Sequence, residues 1–285
     1  MLCNLCPNNC NVDRDNKKGF CGETNTVRVA KYYLHPYEEP VISGTNGSGT
    51  VFFCGCSLKC VFCQNYKLSR SMRGTEISVG RLAEIFKELE DAGAHNVNLV
   101  TATHFIPEII EAFNIYKPKI PVVYNTHGYE NLSALQQIEP YVDVFLPDLK
   151  FYGENVSKRY TGKPDYFSVA SKAVEFMMSK KKTVIENGLM KSGVIVRHLI
   201  LPLNKQDSKK IVEWFLKNRK NGAYFSLMSQ YVPYGDLKNT PELKRKITKK
   251  EYEDVLNVIL SSDFDDCFIQ SEESQSTDYI PKWDM

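Results

Sequence analysis

The sequence has almost no excess of charge and no long apolar run. Its 285 residues carry 36 Lys and Arg against 34 Asp and Glu, a net charge of +2. Neutralising many phosphates needs a clear basic excess, so this balance argues against an extended nucleic-acid surface. The apolar stretch GVIVRHLILPL is interrupted by Arg197 and His198, whereas a membrane-spanning helix needs about 20 apolar residues. We expect no membrane span.

The N-terminal stretch MLCNLCPNNC also lacks the basic and apolar segments of a secretory signal. We therefore expect a cytoplasmic protein. Cysteine, by contrast, is abundant: the chain has nine, four within residues 3–21, four within residues 54–63, and Cys267. In a reducing compartment, clustered cysteines indicate metal or redox chemistry rather than disulfides.

From residue 50 the chain alternates short apolar runs with helical patterns. The candidate strands are TVFFC (50–54), NVNLVT (96–101), IPVVYN (120–125), VDVFLPDL (142–149), GVIVRHLIL (193–201) and AYFSLM (223–228). Strand followed by helix, six times over, predicts an α/β fold, a partial (βα)6 TIM-like barrel of parallel strands. We predict a Cys-rich N-terminal module (1–49), a core (50–270) and a C-terminal tail (271–285). In this architecture functional residues follow the carboxyl ends of the strands.

Cys56, Cys60 and Cys63 are separated by three and then two residues. On a helix they would share one stripe and could be small buried apolar residues. However, they follow a strand and a glycine, Gly55, which favours a loop and thiolate ligands to a soft metal centre. Three thiolates leave one iron of a [4Fe-4S] cluster without a protein ligand, so the spacing predicts an open, catalytic cluster. Cys54 reads as a small buried residue.

The C-x3-C-x2-C motif after the first strand, with Phe62 before its last cysteine, resembles the radical S-adenosylmethionine (SAM) superfamily. GTNGSGTVFFCGCSLKCVFCQN resembles the opening of pyruvate formate-lyase activating enzymes, and within them an uncharacterised branch with an added N-terminal cysteine motif. The resemblance implies that SAM binds the open iron and is cleaved reductively to a 5′-deoxyadenosyl radical, which abstracts a hydrogen atom. The implied substrate is a glycyl-radical enzyme or a peptide, and the implied reductant is a flavodoxin or ferredoxin.

The resemblance also implies SAM contacts at the strand ends. Asn125 and Gly128 match the family's Asn-Gly, and Asp148 and Lys150 match its Asp-Leu-Lys near the ribose and the methionyl carboxylate. The remaining implied contacts are Phe62 against the adenine, Asn65 after the motif, and Arg197 or His198 on the fifth strand. From the residues alone, Asp148 could instead cap a helix and His198 could be a core histidine.

Two departures from the family pattern stand out. The second strand ends in LVTATHF rather than Gly-Gly-Glu, which leaves Thr101, Thr103 or His104 as candidates to hold the SAM amino group. The family's Arg after a Gly-Pro-Gly turn is absent, since NGSGTV has Thr50 and Val51 there. Because that region helps to receive the glycyl-radical partner, the substrate carries over weakly.

Cys3, Cys6, Cys10 and Cys21 form C-x2-C-x3-C-x10-C. Four ligands are a closed set, which suits either structural zinc or a saturated auxiliary iron–sulfur cluster. The spacing matches neither the two-knuckle zinc pattern nor the ferredoxin run, so both metals stay open.

Three functions compete. The first is a radical SAM enzyme of the activating type; the second is radical SAM modification of a small molecule, a peptide or a nucleic acid. The third is an iron–sulfur electron-transfer module without turnover, which would need Cys54 as a fourth ligand.

Overall fold

The computed structural model describes residues 2–71, 73–270 and 274–276. Over these residues, nine strands form a continuous sheet in the order β10-β9-β8-β6-β5-β4-β2-β1-β3, and β7 pairs beside β8. The strands are β1 Arg28–His35, β2 Ser48–Phe53, β3 Thr75–Glu76, β4 Val97–Val100, β5 Val122–Thr126, β6 Val144–Pro147, β7 Val184–Glu186, β8 Leu189–Leu199, β9 Tyr224–Met228 and β10 Cys267–Ile269.

Helices occupy most of the connections between the parallel strands. They are α1 Pro40–Ser43, α2 Tyr66–Ser71, α3 Val79–Asp91, α4 Ile106–Ile115, α5 Leu132–Ile138, α6 Glu154–Thr161, α7 Tyr166–Lys180, α8 Lys205–Asn218 and α9 Lys249–Leu260. Short 3-10 turns add Thr103–Phe105, Glu139–Tyr141 and Pro241–Lys244. Helix α3 illustrates why these segments are helical. Ser78 caps its N-terminus by accepting a hydrogen bond from the Arg81 N–H at 3.1 Å. One face of the helix is an apolar stripe that is buried and includes Leu82 and Phe86.

The parallel strands β2, β4, β5, β6, β8, β9 and β10 follow one another across the sheet. All residues of β4, β5 and β6 are buried, as expected where a parallel sheet is covered on both faces. The sheet is open, with β3 at one edge and β10 at the other. The predicted partial barrel is confirmed, and β10 adds a seventh parallel strand, which was not among the predicted ones.

Two elements lie outside the predicted pattern. Strand β1, from within the predicted N-terminal module, pairs antiparallel with β2 and extends the core sheet. Strands β7 and β8 form an antiparallel hairpin across Asn187 and Gly188, both at positive φ. That geometry suits the Asn-Gly pair, because these residues tolerate the left-handed region best.

No helix within the described ranges combines the length and the apolar character that crossing a membrane requires. Of the predicted tail, only residues 274–276 are among those described, and Ser274 is buried.

Candidate active site

A cavity of about 730 Å³ lies at the carboxyl ends of the parallel strands. Its walls come from the loop after β1, the cysteine loop after β2, and the ends of β4, β5, β6, β8, β9 and β10. Sites of open α/β sheets lie at this edge, and the volume is within the usual range for ligand pockets, about 300–1,000 Å³.

Cys56, Cys60 and Cys63 all line this cavity. The backbone N–H groups of Leu58 and Lys59 point at the Cys56 Sγ, at 3.4 and 3.5 Å. Burial raises the pKa of all three thiols, and the Lys150 ammonium opposes that shift. The loop therefore directs three thiols, with N–H donors and a cation nearby, into one space.

Cys54 has different surroundings. It is fully buried, does not line the cavity, and its Sγ donates to the Arg73 carbonyl at 3.0 Å. Burial raises the pKa of the Cys54 thiol to about 12. The structure thus separates Cys54 from the three cavity cysteines.

The three cavity thiols match the donor set of an iron–sulfur cluster with one iron left open. A [4Fe-4S] cluster takes each thiolate on a different iron, so its ligands are spread more widely than around one zinc. Cys56, Cys60 and Cys63 would hold such a cluster at the wall of the cavity.

A buried charge network also lines the cavity. Arg197 donates from Nε to Asp148 Oδ1 at 2.8 Å, from one terminal nitrogen to Glu38 Oε2 at 2.9 Å, and from the other to Asn125 Oδ1 at 2.6 Å. Lys150 Nζ lies 2.5 Å from Asp148 Oδ2. Asn125 Nδ2 also donates to Glu38 Oε1 at 3.0 Å. Each buried charge therefore has an opposite charge and hydrogen bonds, which such groups require.

The pKa shifts reflect this balance. Burial alone would raise the pKa of Asp148, but Arg197 and Lys150 outweigh it and the pKa is lowered. Burial would lower the pKa of Lys150, yet Asp148 and Cys60 raise it. The cavity consequently presents a charged carboxylate and two cations to a ligand.

Residues 50–215, more than half of the chain, match the model of the radical SAM superfamily. The chain belongs to the radical SAM superfamily. It is 30% identical over 267 residues to an uncharacterized protein of Methanocaldococcus jannaschii, and this match covers 90% of the chain and 73% of the relative.

Solved structures give a weaker likeness. The chain resembles Streptococcus suis SuiB, solved with the precursor peptide SuiA, at a TM-score of 0.51 and 12% identity, over 76% of this chain and 46% of SuiB. Methylornithine synthase PylB matches at a TM-score of 0.49 and 14% identity, over 72% of this chain and 59% of PylB. The chain thus spans about half the length of these structures, and SuiB supports the fold alone.

In this radical SAM protein, six of the nine predicted SAM contacts line the cavity: Phe62, Asn65, Thr101, Asn125, Asp148 and Lys150. Phe62 is buried and makes edge-to-face contacts with two aromatic rings. The centroid of its ring lies 6.0 Å from that of Phe151 and 6.1 Å from that of Tyr160. Thr101 has a φ of 58° and donates its N–H to the Asn125 carbonyl at 2.9 Å.

Three of the predicted contacts are not brought to the cavity. Thr103 donates to Glu130 Oε1 at 2.7 Å, His104 donates from Nε2 to the Cys54 carbonyl at 2.6 Å, and His198 donates from Nδ1 to the Leu149 carbonyl at 2.7 Å. Arg197 and His198 were predicted as alternative contacts on the fifth strand, and Arg197 is the one that lines the cavity. Neighbouring side chains of a strand point to opposite faces, so only one of the two can face the cavity. Gly128 sits at φ 78°, where a Cβ would lie 2.5 Å from the Asp148 carbonyl.

The end of β1 and the loop after it supply cavity residues that the sequence reasoning missed: His35, Glu38 and Glu39. Burial raises the pKa of Glu39, whose Oε2 is buried without a hydrogen-bond partner among the described residues. The only local signal was the pair of acidic residues before Pro40 at the end of an apolar and aromatic run, RVAKYYLH.

Proposed function

We propose that this chain binds a [4Fe-4S] cluster through Cys56, Cys60 and Cys63, cleaves SAM reductively, and abstracts a hydrogen atom from its substrate. The observation that carries the proposal is the placement of the three thiols and the Asn125, Asp148 and Lys150 side chains on one cavity. When bound, the cluster supplies one-electron reduction of SAM to methionine and a 5′-deoxyadenosyl radical.

The cavity residues bind and orient SAM in this proposal. The Lys150 ammonium is suited to the methionyl carboxylate, and Asp148 to the ribose hydroxyls, because these are charge-assisted pairings. Phe62 offers an apolar surface to the adenine and excludes water from that wall. Thr101 is the one of the three residues proposed in place of Gly-Gly-Glu that lines the cavity.

For the substrate we propose a peptide or protein segment, with a glycyl-radical enzyme as the first candidate. Support comes from the motif resemblance to activating enzymes and from the fold shared with SuiB, which has been solved with a precursor peptide. A carrier protein of the flavodoxin or ferredoxin type would supply the electron. All nine cysteines are free, which suits a reducing compartment, and we propose the cytoplasm.

A small-molecule substrate is the second candidate. The cavity volume of about 730 Å³ is within the range of metabolite pockets. The electron-transfer module without turnover has less support, because the fourth ligand it needs, Cys54, is hydrogen-bonded to Arg73 outside the cavity.

The test is SAM cleavage by the anaerobically reconstituted chain with dithionite. We expect 5′-deoxyadenosine and methionine in equal amounts, and a fully loaded cluster that yields neither would overturn the proposal. To separate the substrates, the reaction is supplied with an extract of the source cells grown in heavy water and divided by molecular size. Deuterium transfer into 5′-deoxyadenosine from the macromolecular fraction supports the peptide or protein substrate, whereas transfer from the small-molecule fraction supports the second candidate.

A further inference from the structure

The four N-terminal cysteines come together although they span 19 residues of chain. A Cβ on Gly19 would lie 3.4 Å from the Cys21 Sγ and 3.7 Å from the Cys10 Sγ. Backbone hydrogen bonds fold the rest of this segment onto itself: the Asn11 N–H donates to the Cys3 carbonyl at 3.0 Å, and the Asn9 N–H donates to the Cys6 carbonyl at 3.0 Å. The four thiols thus share one neighbourhood, and none of them lines the cavity.

Nitrogen donors point at these sulfurs. The Phe20 backbone N–H lies 3.1 Å from the Cys10 Sγ, and Asn8 Nδ2 lies 3.4 Å from the Cys6 Sγ. The cavity cysteine Cys56 has donors of the same kind. Hydrogen bonds to the sulfur ligands are one of the factors that set the reduction potential of iron–sulfur clusters.

The N-terminal loop is fastened directly to the cavity cysteine loop. The Cys56 N–H donates to the Cys21 carbonyl at 3.2 Å, and Asn8 Nδ2 donates to the Ser57 carbonyl at 2.7 Å. At Gly55 (φ 80°) the two loops approach so closely that a Cβ would lie 2.9 Å from the Cys21 carbonyl oxygen. One cysteine of each set is therefore joined to the other by a single backbone hydrogen bond.

We propose that Cys3, Cys6, Cys10 and Cys21 bind a second [4Fe-4S] cluster that passes electrons to the cluster in the cavity. Binding of the second cluster stands on its own, whereas the relay rests on the proposed function. Zinc has no redox chemistry, whereas the hydrogen bond from the Cys56 N–H to the Cys21 carbonyl gives a second iron–sulfur cluster a direct path to the cavity.

The relay has a simple balance. A low-potential, one-electron carrier protein would give one electron to the N-terminal cluster and be oxidised. The chain would offer that electron a path from Cys21 through its carbonyl and across the hydrogen bond to the Cys56 N–H, and the reductive cleavage of SAM would consume it. No bond would be made or broken at the N-terminal site, which would return to its oxidised state after each transfer.

The first test counts iron and sulfide in the anaerobically reconstituted chain. We expect about eight irons per wild-type chain and about four in either Cys10→Ala or Cys60→Ala, because each cluster holds four. Cys10 is only half-buried, and Cys3→Ala provides a second variant if the first fails to fold. The matched control is Cys54→Ala, which should keep about eight. Stoichiometric zinc, or an unchanged iron count in both Cys10→Ala and Cys3→Ala, would overturn the second cluster.

The second test compares two reductants in Cys10→Ala. With dithionite, which can reduce the cavity cluster directly, the rate of 5′-deoxyadenosine formation should stay within about 3-fold of wild type. With flavodoxin and its reductase, the rate should fall by at least about 10-fold. An equal effect, or no effect, with both reductants would overturn the relay. If wild type makes no 5′-deoxyadenosine with dithionite, the proposed function fails while the iron count still decides the second cluster.

Discussion

The two cysteine sets lie against each other, yet their surroundings differ. Cys56, Cys60 and Cys63 face a cavity that also holds Asp148 and Lys150. The N-terminal four lie in a loop held by backbone hydrogen bonds and by Arg14, which donates to the carbonyls of His104 and Thr24.

That difference indicates a division of labour. Three ligands beside a charged cavity can share a metal centre with a small molecule, whereas four ligands away from it can only close a centre. In our proposal, similar thiols serve SAM cleavage on one side of the hydrogen bond between Cys56 and Cys21 and electron supply on the other. The number of ligands and the groups facing them make the distinction.

The largest expected effect tests the open site. In Cys60→Ala, formation of 5′-deoxyadenosine should fall by at least about 100-fold, because the cluster loses one of three ligands. Cys54→Ala is the matched control and should stay within about 3-fold of wild type, since its thiol bonds to the Arg73 carbonyl. The measurement is product formation with dithionite and SAM. Comparable loss in both variants would show that the cavity cluster is closed by Cys54.

The next effect concerns the charged wall of the cavity. Asp148→Asn leaves Lys150 without its carboxylate and Arg197 with Glu38 alone. We expect about a 10- to 100-fold weaker SAM affinity, and a loss of about 3 kcal/mol in the free energy of unfolding, because buried cations lose their partner.

Calorimetry on the cluster-loaded protein measures the SAM affinity, and urea unfolding of the metal-free chain measures stability. Asp254→Asn, which breaks a more exposed pair with Lys205, is the control and should leave both unchanged. A loss of stability with unchanged SAM affinity would contradict the role of Asp148 as a ligand contact.

The parts of the molecule that the sequence predicted well are those with local signals. Six parallel strands were visible because both their faces are buried, which makes each a continuous apolar run. The Cys56, Cys60 and Cys63 spacing and the strand-end positions of Asn125 and Asp148 were equally local, and the structure brings them to one cavity.

The parts that the sequence reasoning missed depend on contacts distant in sequence. Glu38 joins the site only because β1 pairs with β2 and carries the following loop to Arg197, 159 residues away. Which of Arg197 and His198 faces the cavity depends on the register of β8. The β7–β8 hairpin did carry a local signal, the Asn187–Gly188 pair between apolar residues.

A smaller effect tests whether the N-terminal loop is anchored independently of the cavity. Arg14 is buried, contacts the Phe105 ring at 5.7 Å from its centroid, and bonds two carbonyls. Arg14→Met should lower the free energy of unfolding by about 2 kcal/mol and speed proteolysis within residues 2–27. Lys17→Met, an exposed change in the same loop, should do neither. SAM affinity should change by less than about 3-fold, and a larger loss would show that the two regions are one unit.

The smallest expected effect is a change in the pH dependence of stability. It compares a buried histidine near the N-terminal loop, His104, with one near the cavity, His198. Burial lowers the pKa of His104, below the N-terminal loop, to about 3, and the pKa of His198, on the strand that bears Arg197, to about 4. Arg14 and His127 add to the shift at His104, and Lys150 adds to it at His198. An unfolded histidine binds its proton near pH 6.5. Between pH 4 and 6.5 the unfolded chain therefore holds more protons, so stability rises with pH and levels off above 6.5.

Glu130 acts in the opposite direction. Burial raises its pKa to about 7, so between pH 4.5 and 7 the folded chain keeps a proton that the unfolded chain loses, and this contribution falls as the pH rises. Urea unfolding of the metal-free chain at several pH values measures the net slope. His104→Gln and His198→Gln should each reduce the slope by up to about 1.4 kcal/mol per pH unit. If only His198→Gln reduced the slope, His104 would be reached by water in solution. The N-terminal loop would then open, while the region around His198 would stay closed.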